Sequence, residues 1–262
     1  MKRIAMAVAV LLTCSFLVAA QDADAQRAAA IMKTARERNE SSSMGTRDRM
    51  VVASKNGSTK EMVIDQYSKD GPNGSRTMIV FNSPAGQKGT RFLSMENGSG
   101  NTDQWIFLSS LGKSRRIASS ESGGSFMGTD FSYDDMSLMS REAGDDRHSI
   151  VREETLNGAA CYVIQSVPRE SDYQYSKTIS WVDMANSRIY KAELYDKKGA
   201  LVKLLEMSDY RDVQGRDTPK STRISTVAAG TSTTIYMDRI EYDMNIPESV
   251  FTTSYLETGR AR

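Results

Sequence analysis

Asp130, Asp134 and Asp135, in the run Thr129-Asp130-Phe131-Ser132-Tyr133-Asp134-Asp135, are the densest group of side chains that could do chemistry. Carboxylates this close could hold a hard cation such as calcium, but their spacing does not match an EF-hand loop. Paired carboxylates could also serve a glycosidase, which needs a separation that no sequence fixes. The plainer reading is capping and turn formation, with Arg115 or Arg116 as ion-pair partners. His148 is the single histidine and has Asp145 and Asp146 beside it; in so polar a stretch it reads as a solvated loop residue. Ser119, Ser120 and Ser122 lack the flanking glycines of a nucleophile elbow. Neither Gly86 to Gly89 nor Gly123-Gly124 follows a strand and opens a long helix, so neither is a phosphate loop. No catalytic residue, metal ligand or cofactor site is assigned.

Composition narrows the field further. The 262 residues carry 34 Lys plus Arg and 33 Asp plus Glu, a formal charge of +1. That balance gives no pull toward nucleic acid. Two cysteines, Cys14 and Cys161, are too few for a zinc finger or a disulfide scaffold. Cys161 lies in the alternating apolar run 159–167 and reads as a buried, inert thiol.

Residues 1–20 have the form of a secretory signal. Met1-Lys2-Arg3 is basic, Ile4 to Val18 is apolar, and small residues at Val18-Ala19-Ala20 suit cleavage before Gln21. Ala23-Asp24-Ala25 offers a second cut, before Gln26. An uncleaved anchor would need a longer apolar run. A lipoprotein would need Cys14 lipidated, with the cut inside the apolar run. The expected product is a single periplasmic domain, residues 21–262, acting as a monomer.

The elements that must position any site are mostly strands. Asp22 to Glu40 reads as a helix, with Ala28, Ile31, Met32 and Ala35 on one stripe. Beyond Ser43 the period changes to 2. Twelve alternating runs follow, separated by turns such as Asn56-Gly57-Ser58 and Asn157-Gly158. With no helix between them, the strands form an antiparallel meander. A sheet that wide must twist and curl toward a barrel or half-barrel. Leu111 to Arg147 interrupts the pattern. It is rich in Ser, Gly and Asp, and long irregular stretches of this kind are usually functional or mobile. Pro247 to Phe251 reads as a short terminal helix.

Alternation also suggests an apolar face. Met50 and Val52, Met62 and Ile64, and Met78 and Val80 occupy even positions of successive strands, and Trp105 and Phe107 repeat the pattern two strands on. These eight residues are expected to line the concave side, although the opposite phase is apolar too. Flexible methionines suit a surface that accepts varied ligands, and they also serve as ordinary core filling.

At Asp103-Gln104-Trp105-Ile106-Phe107-Leu108 a family resemblance begins. It continues through Arg115-Arg116-Ile117 and the loop from Ser125 to Asp135. A D-x-W strand, a basic pair and an F-x-G-[ST]-D-F-[ST]-Y-[ED]-D loop resemble the signature of outer-membrane lipoprotein-sorting proteins, relatives of the periplasmic carrier LolA. Phe126, Gly128, Asp130, Phe131, Tyr133, Asp134 and Asp135 match the loop. Ser109-Ser110 departs, since relatives usually carry a proline there. The resemblance implies a mainly β fold. A curved antiparallel sheet forms an unclosed barrel, with an N-terminal helix and short helices over its concave face. It implies carriage of lipid or lipoprotein acyl chains, from an inner-membrane transporter to an outer-membrane acceptor, with no enzymatic step and no cofactor. Two other readings compete. One is an envelope scaffolding module that binds a protein on the same sheet; the other is a hydrolase that would depend on His148 or Asp134.

Overall fold

A computed structural model describes residues 22–71, 74–97, 102–136, 141, 143–171 and 173–261. The expected export segment, residues 1–20, lies outside them. In chain order the elements are a helix, α1 (residues 22–37), and thirteen strands. These are β1 (Ser43–Ala53), β2 (Thr59–Gly71), β3 (Gly74–Ser83), β4 (Arg91–Glu96), β5 (Thr102–Leu108), β6 (Lys113–Arg116), β7 (Asp146–Leu156), β8 (Ala159–Pro168), β9 (Lys177–Asp183), β10 (Ile189–Tyr195), β11 (Leu201–Val213), β12 (Arg216–Thr226) and β13 (Thr231–Tyr242). A short helix, α2 (Thr253–Thr258), follows. The chain divides into two compact units, residues 1–37 with 142–200 and residues 38–141 with 201–262.

The second unit holds nine strands in the order β6-β5-β4-β3-β2-β1-β13-β12-β11. Its pairs are antiparallel and mostly sequential; β1 against β13 joins the two chain segments. The array does not close on itself, as expected of an open meander. Turn chemistry sets the β1–β2 register. Gly57 has φ +84°, which only glycine adopts freely, and the Asn56 side chain accepts from the Ser58 N–H at 3.0 Å.

One bulge decides which residues share a face. Val63 pairs with Ser83 but Ile64 pairs with Phe81, so Asn82 is an extra residue in β3. The insertion reverses the phase of every later pairing. Even positions of β2 therefore lie beside odd positions of β3. On one face stand Met50, Met62, Ile64, Ile79, Phe81, Phe92 and Ile106, all buried. On the other stand Met78, Val80, Leu93, Trp105 and Phe107.

The C-terminal segment covers this second face. Ile246, Val250, Phe251 and Leu256 pack with Met78 and Leu93, and Val80, Trp105 and Phe107 pack around them. The anticipated terminal helix is a 3-10 turn over Glu248–Phe251, with α2 after it. Thr252 caps α2 by accepting from the Tyr255 N–H at 3.1 Å. At its other end Arg91 donates to the carbonyls of Leu256 at 2.5 Å and Glu257 at 2.8 Å. Arg76 and Lys69 both reach Glu248 and hold its carboxyl down at about 2.

Twelve strands were expected, and thirteen form among the described residues. The addition is β6, Lys113-Ser114-Arg115-Arg116, exposed along its whole length. No apolar alternation marks it, because it is held by backbone pairing with β5 and by polar side-chain bonds, not by apolar burial.

The first unit holds β10-β9-β8-β7, also antiparallel and open. One face packs α1, where Ala28, Met32 and Ala35 meet Ile164 and Val182. The helix ends at residue 37, not 40. On the other face Trp181 is buried with Cys161 and Val163, and the Lys191 Nζ lies 4.1 Å from its ring centroid. His148 is not a solvated loop residue. It lies in β7 at 6% exposure. Its Nε2–H donates to the Ala143 carbonyl and its Nδ1 accepts from the Ser166 hydroxyl, both at 2.8 Å. Burial lowers its pKa and outweighs the Ala143 carbonyl, which pulls the other way. The imidazole is a neutral structural group.

Candidate functional site

An irregular loop, residues 117–136, which contains the sequence signature, packs on the first of the two faces in the larger unit. The two faces are called here the loop face and the tail face. Phe126 enters fully buried, with its ring centroid 5.9 Å from that of Phe81 and 5.2 Å from that of Phe92. Tyr133 packs edge-on to Phe126 at 5.6 Å and tilted to Phe92 at 5.8 Å. Such aromatic pairs add about 0.5–1.5 kcal/mol each beyond the area they bury. Phe131 and Ile117 are buried as well.

The backbone needs a sharp reversal to aim these rings. Met127 and Gly128 both have positive φ, +53° and +78°. Thr129 N–H donates to the Phe126 carbonyl at 3.0 Å and Phe126 N–H to the Phe131 carbonyl at 2.8 Å. Glycine at 128 makes the second left-handed residue tolerable.

Three polar latches hold the loop down. Asp130, 7% exposed, accepts hydroxyl hydrogen bonds from Thr226 at 2.6 Å, Thr231 at 2.5 Å and Thr233 at 2.8 Å. Its own N–H donates to the Thr233 hydroxyl at 2.9 Å. Asp135 pairs with Lys203 of β11 and accepts from the Ser132 N–H at 2.7 Å. Gln104 of β5 donates to the Tyr133 carbonyl at 3.1 Å. Asp134 accepts from the Ser122 hydroxyl at 2.9 Å, within the loop.

The basic pair does something else. Arg115 bonds Glu121 at 2.7 Å and Arg116 pairs with Asp103. The expected pairing with Asp130, Asp134 or Asp135 is not made. Both arginines lie on the exposed edge strand β6, whereas Asp130 and Asp135 are buried over the sheet.

The eight residues expected on one apolar face are divided. Met50, Val52, Met62 and Ile64 are on the loop face; Met78, Val80, Trp105 and Phe107 are on the tail face beneath the C-terminal segment. The Asn82 bulge is the reason. The residues that replace the second group, Ile79, Phe81, Phe92 and Ile106, are the odd phase of β3 and its partners. Two hollows, of about 260 Å³ beside Arg76 and Met95 and about 500 Å³ beside Phe107 and Lys113, are lined from the other side of the sheet.

Sequence reasoning missed three elements of the site. Thr226, Thr231 and Thr233 flank a hairpin and carry no signal linking them to Asp130. Lys203 is a cation between Leu201 and Leu205 on one phase of β11. Asp48, 3% exposed, interrupts the alternation of Thr46, Met50 and Val52 on the loop face. The Thr46 hydroxyl donates to its Oδ2 at 2.7 Å, while Oδ1 has no partner. Burial pushes this carboxyl up to about 7, against a smaller lowering by the Thr46 bond and Lys220.

This arrangement defines a class: an open antiparallel sheet of the LolA type. The chain is similar to a domain assigned to outer-membrane lipoprotein sorting from Vibrio parahaemolyticus, with TM-score 0.82 and 26% identity over 89% of this chain and 99% of that one. It is similar to a DUF1329 family protein from Desulfovibrio piger, with TM-score 0.83, 26% identity and the same two coverages, 89% and 99%. A LolA superfamily protein from Nitrosomonas europaea shares the fold, with TM-score 0.70 and 21% identity over 87% of this chain and 98% of that one. No curated protein matches. A family model described as "uncharacterized protein" matches residues 73–258, and the chain belongs to that family.

Two outcomes follow from the site. In Asp130→Ala the threonine hydroxyls lose their acceptor, at a cost of roughly 1–3 kcal/mol for each buried group left unpaired. Brief chymotrypsin digestion should then cut after Phe126, Phe131 or Tyr133 faster than in the wild type. Arg116→Glu, which breaks an exposed pair with Asp103 and a contact with the Trp105 ring, both away from the latches, should leave those sites protected. Asp48 gives a pH signature. Its folded pKa is raised, so its destabilising effect is absent below pH ~4, grows as pH rises, and is complete above about pH 7. Asp48→Asn should therefore stabilise the protein in urea unfolding by up to roughly 4 kcal/mol at pH 8 and hardly at all at pH 4.

Proposed function

We propose that this protein is a periplasmic, non-enzymatic carrier that binds acyl chains of lipids or lipoproteins against the loop face. The observation that carries the reading is the cover of that face. Of seven buried apolar side chains across β1 to β5, Phe81 and Phe92 are packed by Phe126 and Tyr133 of an irregular, polar-latched loop. A loop of this kind can be displaced at the cost of a few hydrogen bonds, and its displacement uncovers a continuous apolar surface.

The energy scale suits exchange of one cover for another. Each methylene removed from water contributes about 0.8 kcal/mol, so a chain of roughly sixteen carbons offers on the order of 13 kcal/mol. That is enough to offset the lost contacts of Phe126 and Tyr133 and the opened latches. The similarity to a domain assigned to lipoprotein sorting supports the same reading. Export by residues 1–20 would place the carrier in the periplasm, with donor and acceptor in the two membranes.

The test uses an uncharged fluorescent fatty-acid methyl ester, with folding checked by circular dichroism. The wild type should bind it. Phe126→Ala should lose about 3–5 kcal/mol of stability but bind the probe more tightly, because the ring no longer competes for the face. Ile64→Glu puts a charge beneath the chain and should abolish binding in protein that still folds. Failure of the wild type to bind, or a folded Ile64→Glu variant with unchanged affinity, would overturn the carrier reading.

A further inference from the structure

Asp48 combines two properties that seldom coincide. It is almost wholly buried on an apolar face, and half of its hydrogen-bonding capacity is unused. Its neighbours on that face are Thr46 and Met50 along β1, Ile64 across on β2 and Met237 across on β13. Only Thr46 bonds it, and through Oδ2 alone. Buried polar atoms are nearly always paired, so an orphaned carboxylate oxygen calls for a reason.

We propose that Asp48 Oδ1 receives the head group of the cargo, and that this cargo is an acyl chain bearing a primary amine. The proposal rests on the carrier reading and names its ligand. On that face Asp48 adjoins one apolar patch, with Ile64 directly across on β2, Met50 and Met62 beside the pair, and Phe81 beyond Ile64 on β3: a polar atom at one place and apolar surface around it. A protonated amine supplies both a donor and a compensating charge, which is what a buried carboxylate lacks. A free carboxylate ligand would set two negative charges side by side and be refused.

Two of the three nearby charges favour an amine and one opposes it. Asp65 on β2 and Asp238 on β13 raise the Asp48 pKa, and Lys220 on β12 lowers it. With burial the largest influence, the carboxyl titrates near neutrality, so an arriving ammonium can draw it into its ionised form. Affinity for an amine should consequently rise with pH between about 6 and 8.

The experiment is competition at pH 6 and pH 8 against the uncharged ester probe, using hexadecylamine and hexadecanoic acid as competitors. At pH 8 the wild type should prefer the amine by about tenfold or more, the size of one charge-assisted hydrogen bond. Asp48→Asn keeps the shape and an acceptor for Thr46. Whatever its affinity for the ester, it should lose most of the preference for amine over acid and the pH dependence of that preference. Asp48→Ser provides a second neutral variant if the first does not fold. Equal affinities for amine and acid in the wild type, or a preference that survives in either variant, would refute the role of Asp48 and leave the carrier reading standing. Failure of the wild type to bind the ester itself would remove the carrier reading, and this inference with it.

Discussion

A buried carboxylate must find enough hydrogen bonds to offset its lost hydration, and Asp130 finds them in three threonines around one hairpin. The larger unit depends on that constraint. Asp130 belongs to the loop, while Thr226 ends β12 and Thr231 and Thr233 begin β13. Satisfying the carboxylate draws the loop across the sheet and brings Phe126 down onto Phe81 and Phe92. The turn at Met127-Gly128 lets the ring and the carboxylate of one short segment both reach the same sheet face.

The two faces of this sheet solve the same problem differently. Each carries fully buried methionine and aromatic or aliphatic residues that water must not reach. The tail face is covered by Ile246 to Leu256, whose helix end is capped by Arg91 and whose start is fixed by Glu248. The loop face is covered by a segment with little regular structure, fastened at Asp130, Asp135 and Gln104. A cover built from a few polar bonds is easier to open than one built from a packed, capped helix. For that reason the loop face is the one assigned to cargo.

Much of this was legible in the residues. Period-2 alternation located twelve strands, the turn residues between them pointed to a meander, and the narrow stripe of Ala28, Met32 and Ala35 gave the helix and its packed side. The loop signature marked a real structural unit. Chemistry across distance was harder to read. One extra residue at Asn82 exchanged the faces of β3 to β5, and bulges leave no reliable trace in an alternating run. Arg115 and Arg116 looked like partners for the aspartates because they are near in sequence, yet the aspartates bond threonines and a lysine about 70 to 100 residues away. His148 appeared solvated because its neighbours are polar; strand pairing buries it against Ser166. β6 was invisible because backbone pairing and polar side-chain bonds make it, with no apolar face.

The central claim is that the loop over residues 117–136 and an acyl chain compete for one apolar face. Amide hydrogen exchange, with and without saturating fatty-acid ester, tests it most directly. The Thr129 and Phe126 N–H groups are bonded within the loop, and the Asp130 N–H is bonded to Thr233. On binding these amides should lose protection, while amides in the β1–β2 pairing keep theirs. Unchanged or increased protection of the loop amides in the saturated protein would contradict the account.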